Sequence, residues 1–151
     1  MIKVKNIEEL INLWSNDSKI DDTDPGVELS KVSSLHAKYL SILALENLII
    51  HKLDKEYKQL KKEKWEFYKF GVLDKEDHKV YKRFETKQKN ILRQDIPIYL
   101  DSDPDLINLL LKKSLHEEMG QYCTSILSEI KARTYQLNGI IKWEVFKGGS
   151  G

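Results

Sequence analysis

Between positions 55 and 69, lysines recur around one tryptophan at a spacing that an α-helix would gather onto one side. At about 100° per residue, with Lys58 as zero, Lys62 falls near 40°, Trp65 near −20°, Lys69 near 20° and Lys55 near 60°. Leu53, Leu60 and Phe67 fall opposite. Ammonium groups neutralise phosphates and release their counterions. An aromatic ring among them can stack on an unpaired base, which a duplex does not offer. These residues therefore suit single-stranded nucleic acid. Tyr68, Lys82 and Arg83 join them as candidate contacts. Without such a ligand, the same pattern is a solvated lysine face with Trp65 packed on a neighbouring subunit.

Other chemistry finds little support. No glycine precedes Lys-Ser or Lys-Thr, so there is no phosphate-binding loop of that type, and neither GxGxxG nor GxSxG occurs. His36, His51, His78 and His116 are scattered, and His116-Glu117-Glu118 lacks the second histidine of a helical zinc site. The acids of Asp21-Asp22-Thr23-Asp24-Pro25-Gly26 do not follow calcium-loop spacing. Cys123 has no histidine–acid pair near it in sequence and reads as an inert buried thiol. A non-enzymatic protein without metal or cofactor is the expectation.

The elements that must position the lysines follow from the pattern of apolar residues and breakers. Asn6 can cap a short helix, Ile7–Asn16, followed by a turn-rich linker to Gly26. From about residue 27 to Gly71 no proline or glycine intervenes, which predicts a helix roughly 60 Å long at about 1.5 Å per residue. Its heptad seam reads Leu29, Val32, His36, Tyr39, Leu43, Glu46, Ile50, Leu53, Tyr57, Leu60, Lys64 and Phe67. Nine of these twelve are apolar, enough for the helix to pack along its length against another. Residues 72–101 read as a basic connector that includes an extended Ile96-Pro97-Ile98-Tyr99-Leu100. Ser102 or Asp103 can cap a second long helix, 102–147, with Pro104 in its first turn. Residues 148–151 form a tail with no assigned role. The fold class is all-α, in one domain spanning 1–151, assembling into a ring-like homo-oligomer. Cys123, Leu127, Ile130, Leu137 and Ile141, on the apolar stripe of the second long helix, are the candidate subunit contacts.

Composition agrees with long solvent-washed helices: 32% of residues are charged and 40% hydrophobic, with three prolines. A net charge of +1 conceals a basic island. Residues 52–93 carry 14 basic and 8 acidic side chains, whereas 1–51 carry 5 and 8, and 94–151 carry 6 and 8. That is the footprint of a polyanion site or of a salt-bridged helix face. A single cysteine rules out an internal disulfide and fits a reducing, cytoplasmic setting. No leader is expected in Met1–Leu13, and the apolar runs are too short to span a bilayer.

Lys62-Glu63-Lys64-Trp65-Glu66-Phe67-Tyr68, with Gly71 soon after, resembles the basic–aromatic motif of the UvsY family, recombination mediators of T4-like phages. Tyr122-Cys123-Thr124, Leu127, Ile130-Lys131-Ala132-Arg133, Ile140 and Phe146 with Gly149 recur at that family's spacing. Leu35-His36-Ala37-Lys38-Tyr39-Leu40 looks like its first long helix. The resemblance implies a ring of six or seven subunits that binds single-stranded DNA. It also implies contacts with the phage single-strand binding protein and help in loading a RecA-like recombinase, in the cytoplasm of an infected bacterium. The family's two functional basic positions fall on Lys62 and Lys64. Lys64 stands where the family has arginine and so lacks the planar fork that grips phosphate. Lys62 and Lys64 lie about 200° apart on a helix, with Lys64 on the apolar seam. The competing reading is a helical oligomeric adaptor that binds only proteins.

Overall fold

The computed structural model describes residues 2–70 and 91–149. Among them are four α-helices, one 3-10 turn and no strand. The first helix, α1 (Ile7–Asp17), opens on Asn6, whose side-chain oxygen accepts the Glu9 N–H at 2.8 Å. Helix α2 spans Pro25–Phe70. It begins two residues earlier than the breakers suggested. Pro25 fits a first turn, where no N–H is needed, and the Asp24 carboxylate accepts the Val27 N–H at 3.3 Å.

A 3-10 turn, Arg93–Asp95, leads into α3 (Ile96–Asp101). This corrects the expected extended connector. Ile96 and Leu100 are spaced i, i+4, and a single helical turn buries both. Pro97 sits in the first turn, where its ring is tolerated. Helix α4 spans Pro104–Gly149 and runs unbroken through Gly139. Its cap is Asp103, whose Oδ1 accepts the N–H groups of Asp105 and Leu106 at 3.0 and 3.1 Å.

The chain divides into two compact units, Met1–Ile50 with Leu115–Gly151, and His51–Ser114. In the first unit, Val4, Leu10 of α1, Tyr39 and Ile42 of α2, and Met119, Cys123, Ile126 and Ile130 of α4 form the core. Trp14 meets the Tyr39 ring edge-on at 5.4 Å. Glu46, a polar seam residue, is buried and pairs with His116 of α4 at 2.6 Å. Arg133 of α4 donates to the main-chain oxygens of Asp17 and Ser18, at 3.3 and 2.9 Å, and so closes the C-terminal end of α1. In the second unit, Phe67, Tyr68, Ile96, Leu100 and Leu106 form the core, with Tyr57, Leu60, Trp65 and Ile91 packed against it.

The heptad register of α2 holds. Tyr39, Glu46, Leu53, Lys64 and Phe67 are buried, and His36 is the seam position left exposed. The expectation for α4 changes. Cys123, Ile130 and Leu137 were candidates for subunit contacts, yet they are fully buried within a single chain. For Cys123 and Ile130 the cover comes from α1 and α2. Burial also pushes the Cys123 thiol up to about 11, so it stays protonated at neutral pH. Leu127 and Ile141 remain partly open. The large apolar side chains that α4 leaves exposed include Tyr135, Trp143, Val145 and Phe146.

Candidate nucleic-acid interface

The second half of α2, in the unit His51–Ser114, has two faces of opposite character. The inner face carries Leu53, Lys64, Phe67 and Tyr68, all buried. Lys55, Lys58, Lys61 and Lys62 are exposed. Side-chain exposure separates the two motif lysines decisively: 78% for Lys62 and 3% for Lys64. The helical geometry that placed them about 200° apart is the reason.

The outer lysines have acidic neighbours one turn away. Lys58 Nζ lies 2.8 Å from Asp54, which Lys113 also reaches at 3.0 Å. Those hydrogen bonds from Lys58 and Lys113 hold the Asp54 carboxyl below its usual range. Lys62 Nζ lies 4.0 Å from Glu66. Pairs so exposed to water are screened, hold little stability and can be exchanged for phosphate. The Lys69 ammonium sits 4.5 Å from the centre of the half-buried Trp65 ring, and Phe70 meets that ring edge-on at 6.4 Å.

Inside the unit, Lys64 Nζ lies 3.1 Å from Asp103 and 2.8 Å from Asp105. The Tyr68 hydroxyl donates to Asp103 Oδ2 at 2.8 Å. Burial alone would raise the Asp103 carboxyl. Hydrogen bonds from Tyr68, from the Leu106 N–H and from Lys64 outweigh it and hold the group below its usual range. The structure therefore places Lys64 and Tyr68, both expected among the DNA contacts, in the interior. Lys82 and Arg83 lie outside the described residues. Sequence reasoning had Asp103 as a helix cap and Lys64 as a polar seam residue, but it did not join them. The available signal was that a charge on an apolar seam requires a buried partner of opposite sign.

Among the described residues no cluster of three or more His, Cys, Asp or Glu could hold a metal ion. A cavity of about 360 Å³ in the first unit is lined mainly by aliphatic side chains, including Ile2, Val4, Ile42 and Ile49. Among the described residues no helix is long and apolar enough to cross a membrane.

The fold and this face define a class: an all-helical protein with an exposed lysine surface suited to a polyanion. The family described as "Recombination, repair and ssDNA binding protein UvsY" matches residues 13–150, and the chain belongs to it. Two crystal structures of the bacteriophage T4 recombination mediator protein UvsY share the fold. One, in lattice type IV, is 17% identical, with a TM-score of 0.77 over 95% of this chain and 99% of that one. The other, in lattice type II, is 16% identical, with a TM-score of 0.77 over 96% and 99%. No curated protein matches the chain by sequence.

Proposed function

We propose that this chain is a recombination mediator that binds single-stranded DNA on the outer face of α2 and helps a RecA-like recombinase load onto strand covered by single-strand binding protein. The observation that carries the DNA contact is the exposed row of Lys55, Lys58 and Lys62 beside Trp65. Membership of a family described by single-strand binding supports it. Lys58, Lys62 and Lys69 would meet phosphates, and Trp65 would stack on a base. For that, Lys69 must leave the indole face. Giving up a half-buried cation–π contact costs about 0.5–2 kcal/mol, whereas base stacking returns about 1–3 kcal/mol. The exchange favours the bound strand. Lys82 and Arg83 extend the proposal on sequence alone.

The mechanism requires no turnover. A ring-like homo-oligomer, of six or seven subunits as the resemblance implies, repeats a modest site and gains avidity through effective concentration. It can thereby organise a strand and weaken the grip of a single-strand binding protein. The exposed apolar end of α4, with Trp143 and Phe146 stacked at 5.7 Å, supports self-assembly there. Leu127 and Ile141 are the original candidates still open enough to join it.

A second reading, the protein-only adaptor, is favoured by the carboxylates that already neighbour Lys58 and Lys62. Quenching of tryptophan fluorescence by a single-stranded oligonucleotide separates the two. Trp65→Phe leaves Trp14 and Trp143 as the background. The mediator reading predicts quenching that is lost in this variant and weak competition from duplex. An adaptor shows no quenching at all.

A further inference from the structure

Two successive turns of α2 grip one carboxylate. Lys64 and Tyr68, spaced i, i+4, both reach Asp103 Oδ2, at 3.1 and 2.8 Å. The other oxygen of the same carboxylate, Oδ1, caps α4 by accepting two N–H groups. Asp103 is 1% exposed and Lys64 2%. No phosphate can approach an ammonium so enclosed without opening the unit. Lys62 projects about 200° away from Lys64 on the same helix. Whatever fixes Lys64 inward also fixes the outward orientation of Lys62 and the half-buried placement of Trp65 and Lys69 at the edge of that face.

We infer that Lys64 is a positioning residue. Its clamp on Asp103, shared with Tyr68, sets the rotation and register of α2 so that the lysine–tryptophan face is presented to the strand. Lys64 acts on DNA affinity through Lys62 and its neighbours, not by touching phosphate. This rests on the proposed DNA-binding face. It reassigns the second basic residue of the motif from contact to support. Asp103, on which no role in DNA binding has rested, and Tyr68, first expected as a DNA contact, become part of the same device.

The sharpest test is Asp103→Asn. Asparagine keeps the helix cap but removes the buried one of the two charges that hold Lys64, leaving only the more exposed Asp105 at 2.8 Å. Electrostatics alone predicts tighter DNA binding after loss of a negative charge. The clamp predicts weaker binding, by several-fold or more, at a temperature where circular dichroism shows the variant folded. Lys64→Met should also weaken binding of an oligo-dT strand, yet its affinity should fall with salt as steeply as the parent's. A lost phosphate contact would instead reduce that slope by about 0.7 per engaged subunit. The double variant Lys64→Met with Asp103→Asn leaves neither buried charge unpaired, and should recover melting temperature and affinity beyond either single change. Should Lys64→Met fail to fold, Asp103→Asn and the double variant still decide.

Parental or tighter binding by Asp103→Asn overturns the inference. So does a shallower salt slope for Lys64→Met at parental melting temperature. If the parent binds no oligonucleotide, the DNA-binding face itself fails, and the positioning role fails with it. Parental binding alongside any of the other contrary results leaves the face standing and removes only the clamp.

Discussion

Replacing Arg133 with alanine should loosen α1 from its unit without changing the rest of the fold. Its guanidinium is almost fully buried, and it donates to the Ser18 and Asp17 carbonyl oxygens at 2.9 and 3.3 Å. It also lies 5.4 Å from the centre of the Trp14 ring. The shorter hydrogen bond, from a charged donor, contributes about 1.5–3 kcal/mol. The cation–π contact, largely shielded from water, adds about 0.5–2 kcal/mol. Together they predict a loss of about 2–5 kcal/mol, or a melting temperature lower by about 4–20 °C for a chain of this size. Lysine should not rescue the change, because an ammonium lacks the planar fork that reaches both carbonyls. Thermal unfolding followed by circular dichroism, at fixed protein concentration, reads the stability. Trp14 fluorescence reads the local release of α1. A shift under 2 °C, or full rescue by lysine, would refute the assignment of Arg133 as the latch.

Three further outcomes follow from the geometry. Acid should destabilise the unit His51–Ser114 through Asp103. Its folded-state value lies below the ordinary value of about 3.9, so its contribution is present above pH 4 to 5 and is lost as pH falls through the lowered value; Asp103→Asn should flatten that dependence in melts from pH 7 to pH 3. Ile130→Glu should unfold the subunit, because the position is fully buried, whereas Trp143→Glu with Phe146→Glu should keep the helical signal and yield smaller species in light scattering. Gly120→Ala should stabilise by about 0.5–1 kcal/mol in chemical denaturation. The added methyl would meet only Leu43 and Ile50 side chains at 3.7 and 3.9 Å.

What the sequence made legible was local and periodic. The cap at Asn6, the unbroken α2 and the buried seam from Tyr39 to Phe67 all follow from residue type and spacing. So does the outward placement of Lys58 and Lys62. Ile96-Pro97-Ile98 misled because β-branched residues beside a proline favour extended backbone, whereas tertiary burial of Ile96 and Leu100 selected a helix. The partnership of Lys64 with Asp103 and Asp105 spans about forty positions, and no periodicity reports a contact at that separation. The same limit hid the cover on Cys123 and Ile130. An apolar stripe shows that something packs on it, not whether that is a second copy or the chain's own α1 and α2.

The exposed lysines on α2 are proposed to meet the phosphates of single-stranded DNA. Titrations of parent and Lys62→Ala with an oligo-dT strand at several salt concentrations test it most directly. Lys62 is 78% exposed and lies 4.0 Å from Glu66, so its loss should leave fold and assembly intact. Loss of one phosphate contact should weaken binding at low salt and make the slope of log affinity against log salt shallower by about 0.7 for each engaged subunit. Parental affinity at every salt concentration would contradict it.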